Sequence, residues 1–329
     1  MNRLTSILLI VIVFSGFAIN NSYALSITGD DDPRNVILIS WDGVNRDVLY
    51  YLLEQGELPN LRRLIEQGSI VDMRISDHQT DSIAGHAEML TGYGPSFTNI
   101  DSKENVQRLP ERYTILERLE VYYGHENINT IFISGKWGTN TLFTDSIQKL
   151  DVYDVSDAEV SIIGEKSVRY ISEFGNERFF AFIHFAEPDS RGHVFGTESP
   201  EYFNSILALD NWLGKIMDEL KSQNIEDSTI IYVTTDHGFD GGDHEISPYI
   251  FLTSNSQNLV RDGKQLDIVP TIFTELGISP CLISISQFAI PYTGRPLTKY
   301  GVSCMGASII SAIILVALGY FYIKKSRLF

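Results

Sequence analysis

Three of the seven histidines in the 329-residue chain stand close to an aspartate, just beyond an apolar run. Asp189 and His193 lie four residues apart in Glu187-Pro188-Asp189-Ser190-Arg191-Gly192-His193, directly after Phe179–Phe185. Asp236 and His237 are adjacent in Thr234-Thr235-Asp236-His237-Gly238, and His244 follows the glycine pair Gly241-Gly242 seven residues later. Carboxylate oxygen and imidazole nitrogen are the donors that bind zinc and similar divalent ions. Asp42, in Ser40-Trp41-Asp42-Gly43, reads either as an Asp-Gly turn or as a further donor of this set. Ser82 opens a helical pattern in Thr80-Asp81-Ser82-Ile83-Ala84-Gly85-His86. Its hydroxyl could cap that helix, or, with Asp81 as cap, act beside a helix N-terminus where negative charge is favoured. The remaining histidines read more plainly. His184 sits within an apolar strand and faces the core or supports a ligand. His86, four residues after Ser82, orients a carboxylate or packs in the core. His78 and His125, in polar stretches, are expected in solvent.

These residues need elements that bring them together. Asn35–Trp41, Asn129–Ser134, Phe179–Phe185, Thr229–Thr234 and Pro248–Leu252 are nearly continuous in apolar residues, as strands covered on both faces are. Leu58–Gln67, Ile83–Leu90, Tyr113–Val121, Ala158–Glu173, Glu201–Lys221 and Asp267–Leu276 have helical periodicity. Alternation of the two predicts an α/β fold, with a mostly parallel central sheet and helices on both faces. Ligands of such sheets bind beyond the carboxyl ends of the strands, where Asp42, Asp189 and Asp236 are expected.

The body holding these elements is predicted as one domain, residues 25–300. Residues 1–24 carry Arg3, an apolar run from Leu8 to Ala18, and small residues at Ser22-Tyr23-Ala24: the layout of a secretory signal, or of an uncleaved anchor. Gly301 to Ile323 contains no charge and is long enough, at about 1.5 Å per residue, to span a bilayer as a helix. Lys324, Lys325 and Arg327 follow it, so residues 324–329 are expected on the cytoplasmic side and the body outside the cell membrane. Residues 25–300 contain 21 basic and 42 acidic side chains, which disfavours nucleic-acid polymers as partners. An anionic substrate would then need a local cation. The two cysteines, Cys281 and Cys304, are too few for a zinc-thiolate site.

The combination of Asp42, Ser82 with His86, Leu90-Thr91-Gly92, Glu187 to His193 and Asp236-His237-Gly238 resembles the alkaline phosphatase superfamily. The Glu187–His193 segment is most similar to its type I phosphodiesterase and nucleotide pyrophosphatase branch. Asp267 to Thr271 and Gly294-Arg295-Pro296-Leu297 also resemble that superfamily, over roughly residues 35–297. The resemblance implies two divalent metal ions, zinc by expectation. One would be held by Asp189, His193 and His244, the other by Asp42, Ser82, Asp236 and His237. It further implies that Ser82 is the nucleophile toward a small phosphate ester, and that the bilayer is a second partner through the C-terminal helix.

The branch's phosphate-binding asparagine falls at Lys103 by count, with Asn99 and Asn105 flanking it, so Lys103 and Asn99 both stand as substrate contacts. Gly135-Lys136-Trp137 resembles a sulfatase segment whose lysine meets the anion, which adds Lys136. Ser82 to His86 lacks the proline and arginine of the sulfatase formylglycine motif, which argues against sulfatase chemistry. A phosphodiesterase is the leading expectation. A phosphomonoesterase, a phospho-headgroup transferase and a non-catalytic binding protein are the alternatives.

Overall fold

The computed structural model describes residues 35–143, 149–240, 247–279 and 294–298. His244, Cys281, Cys304, the expected signal (1–24) and the expected membrane helix (301–323) lie outside the described residues. Among the described residues no helix is long and apolar enough to cross a membrane.

Eight strands form one mixed sheet: β1 (Asn35–Trp41), β2 (Ser69–Arg74), β3 (Asn129–Ser134), β4 (Val152–Val155), β5 (Phe179–Phe185), β6 (Thr229–Thr234), β7 (Tyr249–Ser254) and β8 (Gly263–Lys264). Their spatial order is β4-β3-β5-β1-β6-β7-β2-β8. The first five are mutually parallel, and β7 runs against both β6 and β2. β1, β3, β5 and β6 have the bounds expected from their apolar runs. The short strands β4 and β8 lie outside the expected set because four residues or fewer carry too little pattern to stand out, and the six-residue β2 because it alternates buried with exposed residues and is not apolar throughout.

The central strands are apolar throughout because both faces are covered. Val36 and Leu38 of β1 join Phe180, Phe182 and Tyr232 on one face. They pack there against helices α3 (Ser82–Thr91), α5 (Ile115–Tyr123) and α9 (Ile268–Glu275). Ile37, Ile39 and Trp41 face the other way with Ile183 and Val233. That side is covered by α1 (Arg46–Gln55), α2 (Pro59–Gln67), α6 (Val160–Phe174) and α8 (Pro200–Ser222). Each such fully buried side chain contributes about 1.5–3 kcal/mol, so this sheet is a rigid platform.

Register decides what that platform carries. Ser134, His184, Ser40 and Thr234 form one row across β3, β5, β1 and β6. Two residues beyond this row come Lys136, Asp42 and Asp236, all at one edge of the sheet. The segment after β5, Glu187–Phe195, is a further helix, α7, outside the helical patterns expected from the sequence. Pro188 in the first turn, two acids beside it and Gly196 at the end were the available signals. The four-residue spacing of Asp189 and His193 therefore places both on one helix face.

Candidate active site

Asp42 leaves β1 through a tight turn. Its N–H donates to the Phe185 carbonyl at 2.9 Å, and its carbonyl accepts from Asp189 N–H at 3.0 Å, which ties β1 to the start of α7. Gly43 has φ +69°, and a Cβ there would lie 2.9 Å from Asp189 Cα. Glycine is thus required both by conformation and by the approach of α7. The Asp42 carboxylate is fully buried. It accepts from His184 Nε2 at 3.0 Å and Lys136 Nζ at 3.0 Å, and lies 3.3 Å from His237 Nε2. Burial pushes this carboxyl up, but the Lys136 ammonium and the two imidazoles outweigh it and hold it well below the usual range. His184 Nδ1 is 2.8 Å from Ser134 Oγ, so the ring is gripped at both ends. His184 therefore supports a ligand, one of the two roles open to it.

Ser82 is not a cap. Asp81 caps α3, accepting from Ile83 N–H and Ala84 N–H at 2.9 Å, which leaves the Ser82 hydroxyl free at the helix N-terminus. Its Oγ lies 2.9 Å from Lys136 Nζ, 3.3 Å from Asp42 Oδ1 and 3.3 Å from His237 Nε2. His86, buried, donates from Nδ1 to the Ser82 carbonyl at 2.6 Å and receives Ser40 Oγ at Nε2 at 3.1 Å. Burial and the neighbouring His184 keep it neutral. α3 also packs unusually close to the strand end: a Cβ on Gly85 would lie 2.3 Å from the Asp236 carbonyl oxygen.

Asp236 and His237 are both fully buried. Asp236 Oδ1 accepts from Gly43 N–H at 3.1 Å. Burial, reinforced by the charge of Asp42, pushes the Asp236 carboxyl up to about 7. His237 Nδ1 donates to the Gly238 carbonyl at 2.9 Å, which turns Nε2 toward Ser82 and Asp42. Burial alone would lower His237, but the charges of Asp236 and Asp42 raise it to about 10.

Asp189 is 5% exposed, whereas the His193 ring is 44% exposed and sits 3.4 Å from Asp189 Oδ1. Lys136 Nζ reaches Asp189 Oδ2 at 2.8 Å, so one ammonium joins Asp42, Asp189 and Ser82. The Asp42 and Asp189 charges outweigh burial and keep this lysine protonated. Asp81, Ser82, Ile83, Lys103, Lys136, Gly138, Thr139, Asp189 and His193 enclose a cavity of about 270 Å³. Of the two expected substrate contacts downstream of Ser82, Lys103 lines this cavity and its N–H donates to Asp81 at 2.8 Å. Asn99 is exposed, at the left-handed C-terminus of the short helix α4 (Pro95–Thr98), and is not among the lining residues.

The donor set fits divalent metal. Asp42, Asp189 and His237 each offer a ligand atom, all within 4.8 Å of one another. Asp189 Oδ1 and Asp236 Oδ2 are buried without a hydrogen-bond partner, an arrangement that costs about 1–3 kcal/mol per group unless a cation takes the free lone pair. Six of the seven expected ligands converge here, and the seventh, His244, lies outside the described residues. The compact trio mixes residues assigned by resemblance to two different metals, so it marks a candidate metal site and fixes no count. His184, His86, Gly43 and Gly85 hold the site together through contacts that sequence spacing could not reveal.

Residues 36–273 match the family model "Type I phosphodiesterase / nucleotide pyrophosphatase". The bis(5'-adenosyl)-triphosphatase ENPP4 of Homo sapiens is 22% identical over 254 residues, covering 70% of this chain and 52% of that protein. The chain thus spans about half the length of the curated relatives it matches. Among solved structures, murine ectonucleotide pyrophosphatase/phosphodiesterase 5 in complex with AMP superposes with TM-score 0.57 at 15% identity, covering 80% of this chain and 97% of that one. An alkaline phosphatase superfamily protein from Vibrio parahaemolyticus gives TM-score 0.53 at 16% identity, with coverage of 75% and 67%. These superpositions establish the fold, an alkaline phosphatase-like α/β sheet. With the family match running from β1 into α9, across the sheet edge just described, the chain belongs to the type I phosphodiesterase/nucleotide pyrophosphatase family.

Proposed function

We propose that this protein is a metal-dependent phosphodiesterase or nucleotide pyrophosphatase in which Ser82 is the nucleophile. The observation carrying this reading is the position of Ser82 Oγ, uncapped at a helix N-terminus and within 3.4 Å of Asp42, His237 and Lys136. Asp42, Asp236, His237, Asp189 and His193, with His244, would hold the metal ions, two and zinc by the family pattern. When bound, such ions supply Lewis-acid charge that favours the ionised serine and neutralises phosphoryl oxygens.

Ser82 Oγ attacks phosphorus, the bond to the leaving alcohol or phosphate breaks, and a phosphoserine ester remains. Water then cleaves the Oγ–P bond and restores the hydroxyl. Lys136, which faces Ser82 Oγ directly, offsets negative charge as it develops on that oxygen and on the phosphoryl group. Lys103 meets the substrate at the cavity wall. Asn99 would have to act from outside the cavity lining, which makes it the weaker of the two contacts.

A second reading, a phosphomonoesterase, is favoured by one observation: two lysines, Lys136 and Lys103, border a small cavity, and a doubly charged monoester uses fixed cations more than a diester does. We further propose that residues 301–323 anchor the catalytic body to the cell membrane from outside, from their uncharged length and the basic residues after them. Membrane fractionation with and without this segment tests that part.

The activity test is hydrolysis of bis(p-nitrophenyl) phosphate, p-nitrophenyl phosphate and p-nitrophenyl sulfate, with and without chelator. Preferred diester turnover that chelator abolishes, and that Ser82→Ala removes while metal content persists, is expected. Full activity in Ser82→Ala would overturn the nucleophile assignment, and monoester preference would select the second reading.

A further inference from the structure

His78 was expected in solvent, yet its side chain is fully buried. Its Nδ1 lies 2.6 Å from the Gln79 carbonyl, and its Nε2 lies 3.2 Å from Glu88 Oε2 and 3.1 Å from Gln265 Oε1. Glu88 is 2% exposed and belongs to α3, the helix that begins with Ser82. Gln265 is fully buried in the turn before α9. Its amide orientation is not free: Nε2 donates to the Asp236 carbonyl at 2.7 Å and approaches the Thr235 carbonyl at 3.4 Å. A flipped amide would set oxygen against two carbonyl oxygens, so Oε1 must face His78.

Both ring nitrogens of His78 therefore meet acceptors only. A neutral imidazole has one N–H and would leave one nitrogen lone pair against oxygen, whereas an imidazolium satisfies both sides. Glu88 is the charged group facing the ring, and Gln265 is neutral. Burial lowers His78, but the hydrogen bond and charge of Glu88 and the Gln79 carbonyl overcome it, so the ring titrates above its ordinary value. The chain of contacts runs from α3 through Glu88, His78 and Gln265 to the Asp236 carbonyl, the same oxygen against which Gly85 of α3 packs.

We propose that His78 is a positioning residue: an imidazolium that clamps the helix carrying Ser82 to the strand end carrying Asp236 and His237. It touches neither substrate nor metal ligand side chains. It fixes the spacing between nucleophile and ligands from behind. The proposal rests on Ser82 and the ligands having the roles given above, so its test includes readouts that do not need turnover.

The experiment uses the full chain with histidine labelled with 15N. At pH 7 both His78 ring nitrogens should give shifts of protonated nitrogen. Glu88→Gln keeps the shape and removes the charge. It should move His78 to a neutral ring at that pH, weaken zinc affinity by calorimetry about tenfold, and lower kcat on bis(p-nitrophenyl) phosphate about tenfold with KM unchanged, the low end of the 10- to 100-fold cost of losing a ligand's supporting partner. Gln265→Met keeps volume and cuts the link to Asp236. It should reduce zinc affinity and kcat similarly while His78 stays cationic, and it tests the clamp should Glu88→Gln fail to fold. A neutral His78 in the wild type overturns the proposal. So does a loss of thermal stability in these variants with zinc affinity and kcat intact, which would mark a purely structural pair. If the wild type hydrolyses no phosphate ester, the functional reading fails, and the ring spectrum and zinc affinity still decide the clamp.

Discussion

Asp42, Asp236 and His237 differ from Asp189 and His193 in how the fold holds them. The first group follows directly on the central strands β1 and β6, and each member is fully buried. Their side chains are steered by fixed partners: His184 and Lys136 at Asp42, Gly43 N–H at Asp236, the Gly238 carbonyl at His237. The second group rides on α7, where the His193 ring is 44% exposed and rests on Phe239 at 4.8 Å between ring centroids. Buried donors with locked orientation pay little to organise around a cation, while an exposed imidazole must give up rotamer freedom. The inner group should therefore bind metal tightly and the outer group more adjustably, which suits an open side where substrates enter.

Ligand loss should separate the halves most. Asp236→Asn is expected to lower kcat/KM for the diester by more than about 100-fold, beyond what loss of a supporting partner costs, and added zinc should not restore it. His193→Asn should cost only about tenfold and recover as zinc is raised. Equal losses in the two variants, with equal response to zinc, would remove the distinction. His184→Asn, which loosens Asp42 without removing a ligand, should fall between, about 10- to 100-fold, with bound zinc per chain measured alongside.

Gly85→Ala probes the close approach behind the inner group. The added Cβ meets the Asp236 carbonyl at 2.3 Å, so α3 must shift. Overpacking of this kind costs about 1–3 kcal/mol, readable as a lower Tm, and should move Ser82 enough to reduce kcat. A smaller effect concerns protons. His237 titrates near 10 without metal because the charges of Asp236 and Asp42 outweigh its burial. A metal ligand must be neutral, so metal binding at pH 8 must displace that proton. Zinc affinity should rise with pH up to about 10, and calorimetry in buffers of different ionisation enthalpy should show release of about one proton per chain. No dependence on buffer would contradict the placement of His237 in the inner group.

Much of this molecule is legible in its sequence. β1, β3, β5 and β6 stood out because strands buried on both faces must be apolar at every position, and few other segments are. Asp42, Asp189 and Asp236 stood out because polar residues immediately past such runs lie at the binding edge of a parallel sheet. Ser82 remained ambiguous until Asp81 was seen to hold the cap, since adjacent Asp and Ser can each perform it. α7 is hard to read from sequence because its nine residues contain few apolar positions, although Pro188 and Gly196 mark both ends.

The sequence by itself determined the central strands, most of the covering helices, the family and the chemical types at the sheet edge, since these follow from local pattern and residue identity. The tertiary structure alone decided which groups meet. Lys136 joining Asp42, Asp189 and Ser82 spans separations of 94, 53 and 54 residues. His78, whose polar neighbours in sequence predict solvent, is buried against Glu88 and against Gln265, which is 187 residues away. Burial and charge environment belong to neighbours in space, and strand register rather than chain distance selects those neighbours.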